Sequence, residues 1–203
     1  MRPAPRSPPL SSHLPAQVRG AWGPGLTRFN ALSAETAQDL LLHCCGNRRW
    51  AHRLAAHRPY PDPGALLAAA EEASYDLSPA DLAEALAAED PAELDPRAPY
   101  AAHLALRAAL AEYERRFGHA FVVCLAGLAP QDRTDAVLSA IQSRLANSAE
   151  EERAVAADEL RRLAGERLSE LVPLCGPALP GGLAQALDEP ADTPELVRFA
   201  PAG

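Results

Sequence analysis

Four side chains of metal-binding type lie close together early in the chain: His43, Cys44, Cys45 and His52. A structural zinc site usually uses pairs of ligands that recur at short separations. Here the two cysteines are adjacent, so on a helix they would point to different faces. We therefore interpret these side chains as core and surface residues, and we expect no metal site.

A short apolar segment, Phe121 to Leu125, offers a second kind of chemistry. It follows a charged helical stretch and Gly118, and five residues cannot form a sheet alone. The sequence therefore predicts an extended segment buried between helices, whose backbone N–H and C=O groups need partners. A polar ligand lying along the segment would supply them. Bound water beside a core-packing linker would also supply them, and the residues alone leave both alternatives open.

Helix signals dominate the rest of the chain. Capping residues predict helix starts at Ser33, Asp62 and Ser78. The stretch RRWAHRLAAH predicts a helix with Trp50 and Leu54 on one face. Apolar residues at helical spacing predict longer helices over about 99–116, 132–146 and 149–171. Because no alternating strand pattern occurs, we predict an all-α fold, a single-domain helical bundle.

Composition divides the chain into three parts. Residues 1–27 are rich in Pro, Ser and Gly, which predicts a disordered leader. Residues 173–203 are similarly rich in Pro and Gly and are predicted to form a loose tail. The helical domain is then expected over 28–172, an ordinary size for one domain.

Charge and composition exclude several classes of function. The 203-residue chain has a net charge of −8, and all 19 of its basic residues are arginine. This acidic balance and an aromatic content of 5% argue against nucleic-acid binding. No apolar run approaches the roughly 20 residues of a membrane span, and prolines interrupt the N-terminus where a signal peptide needs apolar residues. The four cysteines, an adjacent pair and two isolated residues, form no disulfide framework. We therefore expect a cytoplasmic protein with no membrane partner.

Several motifs in order resemble the 2-oxo-4-hydroxy-4-carboxy-5-ureidoimidazoline (OHCU) decarboxylases of urate breakdown. The resemblance covers about residues 29–171. Its most specific parts are YERRFGHAFVVC and the final helical stretch ELRRLAGERLSEL, and the weaker parts are FNALSAETA, RRWAHRLAAHRPYPDPGAL, LAEALAA and RLANSAEEE.

The resemblance implies a function and a site. Members of the family convert OHCU to (S)-allantoin and carbon dioxide. The resemblance therefore implies an all-α bundle that is usually a homodimer and that uses no metal or organic cofactor. The arginine that binds substrate in the family matches Arg167. The family also binds substrate through the backbone of the segment that matches Phe121, Val122, Val123, Cys124 and Leu125. A guanidinium can hold a planar ureide or a carboxylate through two parallel hydrogen bonds.

The chain departs from the family at two catalytic positions. The family has a catalytic histidine in a His-Pro step, and here the matching segment is Glu89-Asp90-Pro91. Glu89 takes the histidine position when the preceding helix is aligned, and Asp90 takes it when Pro91 is aligned. We expect Pro91 to face the substrate with them. The family's Glu-Gln pair has no match within 92–112.

These departures predict slow catalysis. Decarboxylation leaves negative charge on carbon that must be delocalised and then protonated, a task suited to histidine. Burial could raise the pKa of Glu89 or Asp90 enough to donate a proton, and His103 in the following helix is another candidate. The sequence therefore supports either a divergent decarboxylase of purine catabolism, acting on a small ureide, or a relative that binds ligands or proteins without catalysis.

Overall fold

The computed structural model describes residues 16–175, which form helices joined by loops. The helices are α1 Ala16–Ala31, α2 Ala34–Leu42, α3 Arg48–Ala56, α4 Pro63–Tyr75, α5 Pro79–Ala87, α6 Tyr100–Phe117, α7 Pro130–Arg144 and α8 Ala149–Leu174. Residues 16–175 contain no strand, so the predicted all-α class is confirmed.

Local sequence signals account for most helix starts. The side chains of Ser33, Asp62 and Ser78 each accept a hydrogen bond from a backbone N–H in the first turn of α2, α4 and α5, respectively. These three predicted caps are confirmed. Ser148 caps α8 in the same way and forms a capping box with Glu151.

The structure contains a helix, α1, before the first helix predicted from the sequence, which begins at Ser33. Residues 16–27 lie in α1, whereas the sequence predicts a disordered leader up to residue 27. Within α1, Gly25 packs so closely on α8 that an added Cβ would lie 2.1 Å from the backbone oxygen of Val172. Tertiary contact therefore stabilises a stretch with weak helical periodicity and a proline at position 24. The remaining predicted tail residues, 1–15 and 176–203, lie outside the described residues.

Two hydrophobic clusters form the core. The larger one contains residues from the first five helices and from α8, and it includes Phe29, Trp50 and Leu168. The smaller one joins α6 and α7, and it includes Tyr113 and Ile141. We call residues 121–125 the crossing segment, because Phe121 packs in the smaller cluster while Val122 packs in the larger. It has no regular secondary structure, as predicted.

None of the helices between residues 16 and 175 is long and apolar enough to cross a membrane.

Candidate functional site

Arg167 on α8 holds Glu89 through two parallel hydrogen bonds. Its Nη1 donates to Oε1 and its Nη2 donates to Oε2, both at 2.7 Å. A third, longer bond of 3.3 Å runs from Nη1 to the backbone oxygen of Cys44. The hydrogen bonds that Arg167 donates to the Glu89 carboxylate raise the pKa of its guanidinium above the ordinary value. The residue predicted to bind substrate thus directly contacts Glu89, one of the two residues that the sequence aligns with the family's histidine.

Glu89 is held in place by the packing of α5. Asn47 is fully buried, and its side-chain amide donates a hydrogen bond of 2.7 Å to the Glu84 carboxylate on α5. Its side-chain oxygen accepts a hydrogen bond from the backbone N–H of Trp50. Gly46 approaches the end of α5 so closely that an added Cβ would lie 2.3 Å from the Ala88 Cβ. Glu89 follows directly, and its side chain is only 6% exposed. The carboxylate is therefore a fixed part of the bundle.

A cavity of about 370 Å³ borders this pair. Its lining includes Arg167, Glu89 and the exposed Asp90, together with His43 at the end of α2. The Nδ1 of His43 lies 2.8 Å from the backbone oxygen of Asp39. A carbonyl oxygen can only accept a hydrogen bond, so Nδ1 carries the proton and donates a hydrogen bond to Asp39. Nε2 is then able to accept a hydrogen bond from a ligand.

A second cavity, of about 140 Å³, lies against the crossing segment. Glu89 and Asp90 line both cavities. The residues of the predicted site that line only the second are Phe121, Val122, Val123 and Leu125. The structure thus places Arg167 on one side of the Glu89-Asp90 step and the crossing segment on the other. Pro91 is exposed and lines neither cavity.

Cys124 faces a third space. It lines a cavity of about 440 Å³ between α4 and α8, together with small residues that include Ala164 and Gly165. Its backbone N–H donates to the carboxylate of Glu159 at 2.7 Å. Cys124 is therefore the one member of the crossing segment that lines this cavity in place of the one beside Glu89.

Charged side chains satisfy two backbone groups of the crossing segment. Besides the bond from Cys124 to Glu159, the Nη1 of Arg144 donates to the backbone oxygen of Val122 at 2.5 Å. The Arg144 guanidinium also lies 4.6 Å from the centre of the Phe121 ring, within the range of a cation–π contact. At these two positions the bundle itself supplies the partners that the sequence left open between ligand and water.

A buried network holds Arg144 in turn. The Nε and Nη2 of Arg144 donate to one oxygen of Glu152, at 2.9 and 2.5 Å. The Tyr113 hydroxyl also donates to Glu152, and the Asn147 amide donates to the other carboxylate oxygen at 2.8 Å. Glu152 is fully buried, and burial raises the pKa of Tyr113. This network links α6, α7 and α8 behind the crossing segment.

The cysteines beside the site, Cys44 and Cys45, are buried and unreactive. Burial raises the pKa of Cys44 and of Cys45 to about 12. Both are therefore protonated at neutral pH, which makes them poor metal ligands and poor nucleophiles. Within residues 16–175 no group of three or more His, Cys, Asp or Glu side chains is placed to hold a metal ion.

From the sequence, His103 is a candidate for a substitute proton carrier, whereas His43 is not predicted to have this role. His103 lies on α6 and lines neither cavity beside Glu89. The sequence suggests His43 only as a metal ligand, whereas in the structure it lines the cavity of Arg167. The sequence carries little signal for this role, because residue 43 is distant from residues 89 and 167 along the chain and shares a cavity with them only in the folded protein.

Comparisons with known proteins identify similar folds. The chain matches the family model described as OHCU decarboxylase over residues 30–91 and 89–169. It is similar to a crystal structure described as OHCU decarboxylase in the presence of (S)-allantoin, with 21% identity and a TM-score of 0.57, covering 64% of this chain and 95% of the other. It is also similar to a crystal structure of (S)-allantoin synthase, with 17% identity and a TM-score of 0.58.

That second match covers 71% of this chain and 52% of the other, so the chain spans about half the length of that protein. At these identities the two structural matches establish a shared fold. A search of curated protein sequences found no significant match.

Proposed function

Because this chain belongs to the OHCU decarboxylase family, we propose that it is a divergent carbon–carbon lyase of urate breakdown. It acts slowly on OHCU, giving (S)-allantoin and carbon dioxide, or on a related ureide. The observation that supports this most directly is the Arg167–Glu89 pair beside two adjoining cavities. Arginine, carboxylates and buried backbone together suit a flat ligand that carries both N–H and C=O groups.

The pair also supports the slow rate. Glu89, one of the two residues that align with the family's histidine, has its carboxylate bound to Arg167 and so is badly placed to deliver a proton. Asp90 is exposed to solvent and so is not buried against a bound ligand. His43 is the histidine that lines the Arg167 cavity, and its Nε2 is the group best suited to move a proton there.

The test is stereospecific formation of (S)-allantoin from freshly generated OHCU, followed by circular dichroism. We expect a rate above the spontaneous racemic background but about 10²–10⁴-fold below that of a family member with the His-Pro and Glu-Gln motifs, the usual effect of general acid–base groups. A rate equal to that of such a family member would refute the prediction that this enzyme is slow.

A second function is favoured by the same contact. Since Glu89 neutralises Arg167, the site could bind a ureide without converting it. Allantoin should then raise the melting temperature of the wild-type protein, and Arg167→Ala should abolish this effect. Arg153→Ala provides the control, because Arg153 is an exposed arginine on the same helix that lines neither cavity beside Glu89. Equal loss in both variants would remove the assignment of Arg167 to the site.

Family membership also leads us to propose a homodimer that works in the cytoplasm without metal or organic cofactor. Sedimentation equilibrium at micromolar concentration tests the dimer. A single species at the monomer mass of 21.5 kDa would contradict it.

A further inference from the structure

We propose that a cavity between α5, the end of α6 and the start of α8 binds a small phosphate monoester that carries an apolar group. This cavity, which we call the basic cavity, has a volume of about 500 Å³. It shares no lining residue with either cavity beside Glu89. The inference therefore adds a second site, and it does not depend on the proposed function.

One wall of the basic cavity is apolar and belongs to α5. Its lining residues lie at positions 79, 82, 83, 86 and 87, a spacing that places them on one side of the helix. Leu82 and Leu86 are buried, whereas Ala83 and Ala87 are exposed and their small side chains leave space for a ligand. Phe117 at the end of α6 adds an aromatic ring to the lining. An apolar group of a ligand would therefore be removed from water here, which favours binding.

The rest of the lining carries positive charge. Arg116 on α6 and Arg153 on α8 both line the basic cavity, and no acidic side chain of the described residues does so. Because the whole chain has a net charge of −8, this is a local excess of positive charge. A concave surface with charges of one sign concentrates ions of the opposite sign. Two guanidiniums suit both the charge and the several acceptor oxygens of a phosphate group.

The guanidinium of Arg153 is available to a ligand. On the same helix, Arg161 and Arg162 each pair with an acidic residue three positions earlier. Glu150 stands at that spacing before Arg153, yet Arg153 makes no hydrogen bond or ion pair with any residue between 16 and 175. The described residues therefore leave its charge uncompensated beside the cavity.

Arg116 is positioned at the cavity while most of its donors are left unused. Its Nη2 donates to the backbone oxygen of Asn147 at 2.9 Å, and its guanidinium lies 5.4 Å from the centre of the Phe117 ring. Its Nε and Nη1 make no hydrogen bond to the described part of the chain, so they can donate to a ligand. A group that is already held in place binds at a lower entropic cost than a freely rotating one.

The shape of the cavity depends on the turn that ends α6. Gly118 adopts the left-handed conformation, with φ of 74°, which favours glycine. The residues on both sides of this turn, Phe117 and His119, line the basic cavity. The turn thus places an aromatic ring and an imidazole beside the two guanidiniums.

The experiment separates the two parts of the ligand. Isothermal titration at neutral pH compares phenyl phosphate with inorganic phosphate, which is the anion alone, and with phenol, which is the ring without the phosphate. We expect phenyl phosphate to bind the wild type at least about tenfold more tightly than either compound. Charge-assisted hydrogen bonds and the burial of a phenyl ring each commonly give a difference of this size.

Two variants test the location of the site. Arg153→Gln removes a positive charge from the basic cavity, and Ala83→Glu adds a negative charge to its apolar wall. Each should weaken the binding of phenyl phosphate by about tenfold or more. Arg107→Gln and Ala80→Glu are the matched controls, because they make the same charge changes at exposed positions of α6 and α5 that do not line the cavity. They should change the affinity by less than about threefold, since solvent screens a distant exposed charge.

Circular dichroism establishes that each variant is folded, and if one of the two does not fold, the other and its control decide the result. The inference is overturned if the wild type does not bind phenyl phosphate, or if it binds inorganic phosphate equally well. Equal losses of affinity in a variant and its control would also overturn it, because net charge alone would then explain the binding.

A last outcome concerns the other cavities. If Arg167→Ala abolishes the binding of phenyl phosphate while Arg153→Gln leaves it unchanged, the ligand lies beside Glu89 and the inference is overturned. The proposed function is tested separately, by the effect of allantoin on the melting temperature and by the formation of (S)-allantoin, so the failure of either proposal can be recognised without the other.

Discussion

The guanidinium of Arg144 donates to the backbone oxygen of Val122 while it also binds the buried carboxylate of Glu152. Arg144 therefore connects the crossing segment to the core of the bundle. We expect Arg144→Met to destabilise the protein by about 3–5 kcal/mol, because it leaves the Glu152 carboxylate buried without its charged partner. Urea unfolding followed by circular dichroism measures the change.

The double variant Arg144→Met with Glu152→Gln should be less destabilised than the single variant, since no uncompensated charge remains buried. Arg133→Met is the control, because Arg133 is an exposed arginine on the same helix. A single variant that is as stable as this control would show that the network contributes little to the fold.

His43 is expected to carry a proton in the residual reaction. His43→Ala should lower the rate of (S)-allantoin formation by about 10²-fold or more, the lower end of the usual range for general acid–base catalysis. His57→Ala is a matched control: His57 also ends a helix and contacts a backbone oxygen through Nδ1, but it lines neither cavity beside Glu89. Equal rates in the two variants would exclude His43 from proton transfer.

The cap of α5 should make stability depend on pH. Hydrogen bonds from the side chain and backbone of Ser78 lower the pKa of Asp81 to about 2. The folded-state pKa lies below the unfolded value of about 3.9. Asp81 therefore stabilises the fold above about pH 4, and this contribution is lost as the pH falls toward 2.

We expect the melting temperature to fall across this range and Asp81→Asn to reduce the fall. Asp132→Asn serves as the control, since Asp132 is an exposed residue in the first turn of α7. The same pH profile for Asp81→Asn and the wild type would contradict the role of this cap.

Close packing of α1 on α8 predicts a strong effect at Gly25. Gly25→Ala should destabilise the protein by about 1–3 kcal/mol, since its Cβ would collide with the backbone of Val172. Gly165→Ala should instead stabilise it by about 0.5–1 kcal/mol, because Gly165 lies within α8 and has open space around it. Thermal unfolding compares the two. Equal stability of Gly25→Ala and the wild type would show that α1 does not pack here in solution.

Local signals made much of this fold predictable. Ser33, Asp62 and Ser78 each cap a helix through contacts within three residues, so the sequence contains all that is needed to predict them. Helix α1 was missed because its stability depends on Gly25 meeting Val172, a contact between distant parts of the chain.

The candidate site shows the same division. The resemblance pointed to Arg167 and Glu89 separately, but their pairing joins residues 78 positions apart and only the folded chain reveals it. Glu152 could have been found from the sequence. It continues the apolar stripe of α8 formed at four-residue spacing by Ala156, Leu160, Ala164 and Leu168, so an acid there predicts a buried partner.

The crossing segment has a consequence for how the protein unfolds. The neighbouring residues Phe121 and Val122 belong to different hydrophobic clusters. Hydrogen bonds to Arg144 on α7 and to Glu159 on α8 hold the backbone of the segment in place. Loops usually open at little cost, ahead of the helices they connect. Here opening the loop means separating both clusters at once. We therefore expect the two halves of the bundle to unfold as one cooperative unit, together with the cavities on either side of Glu89.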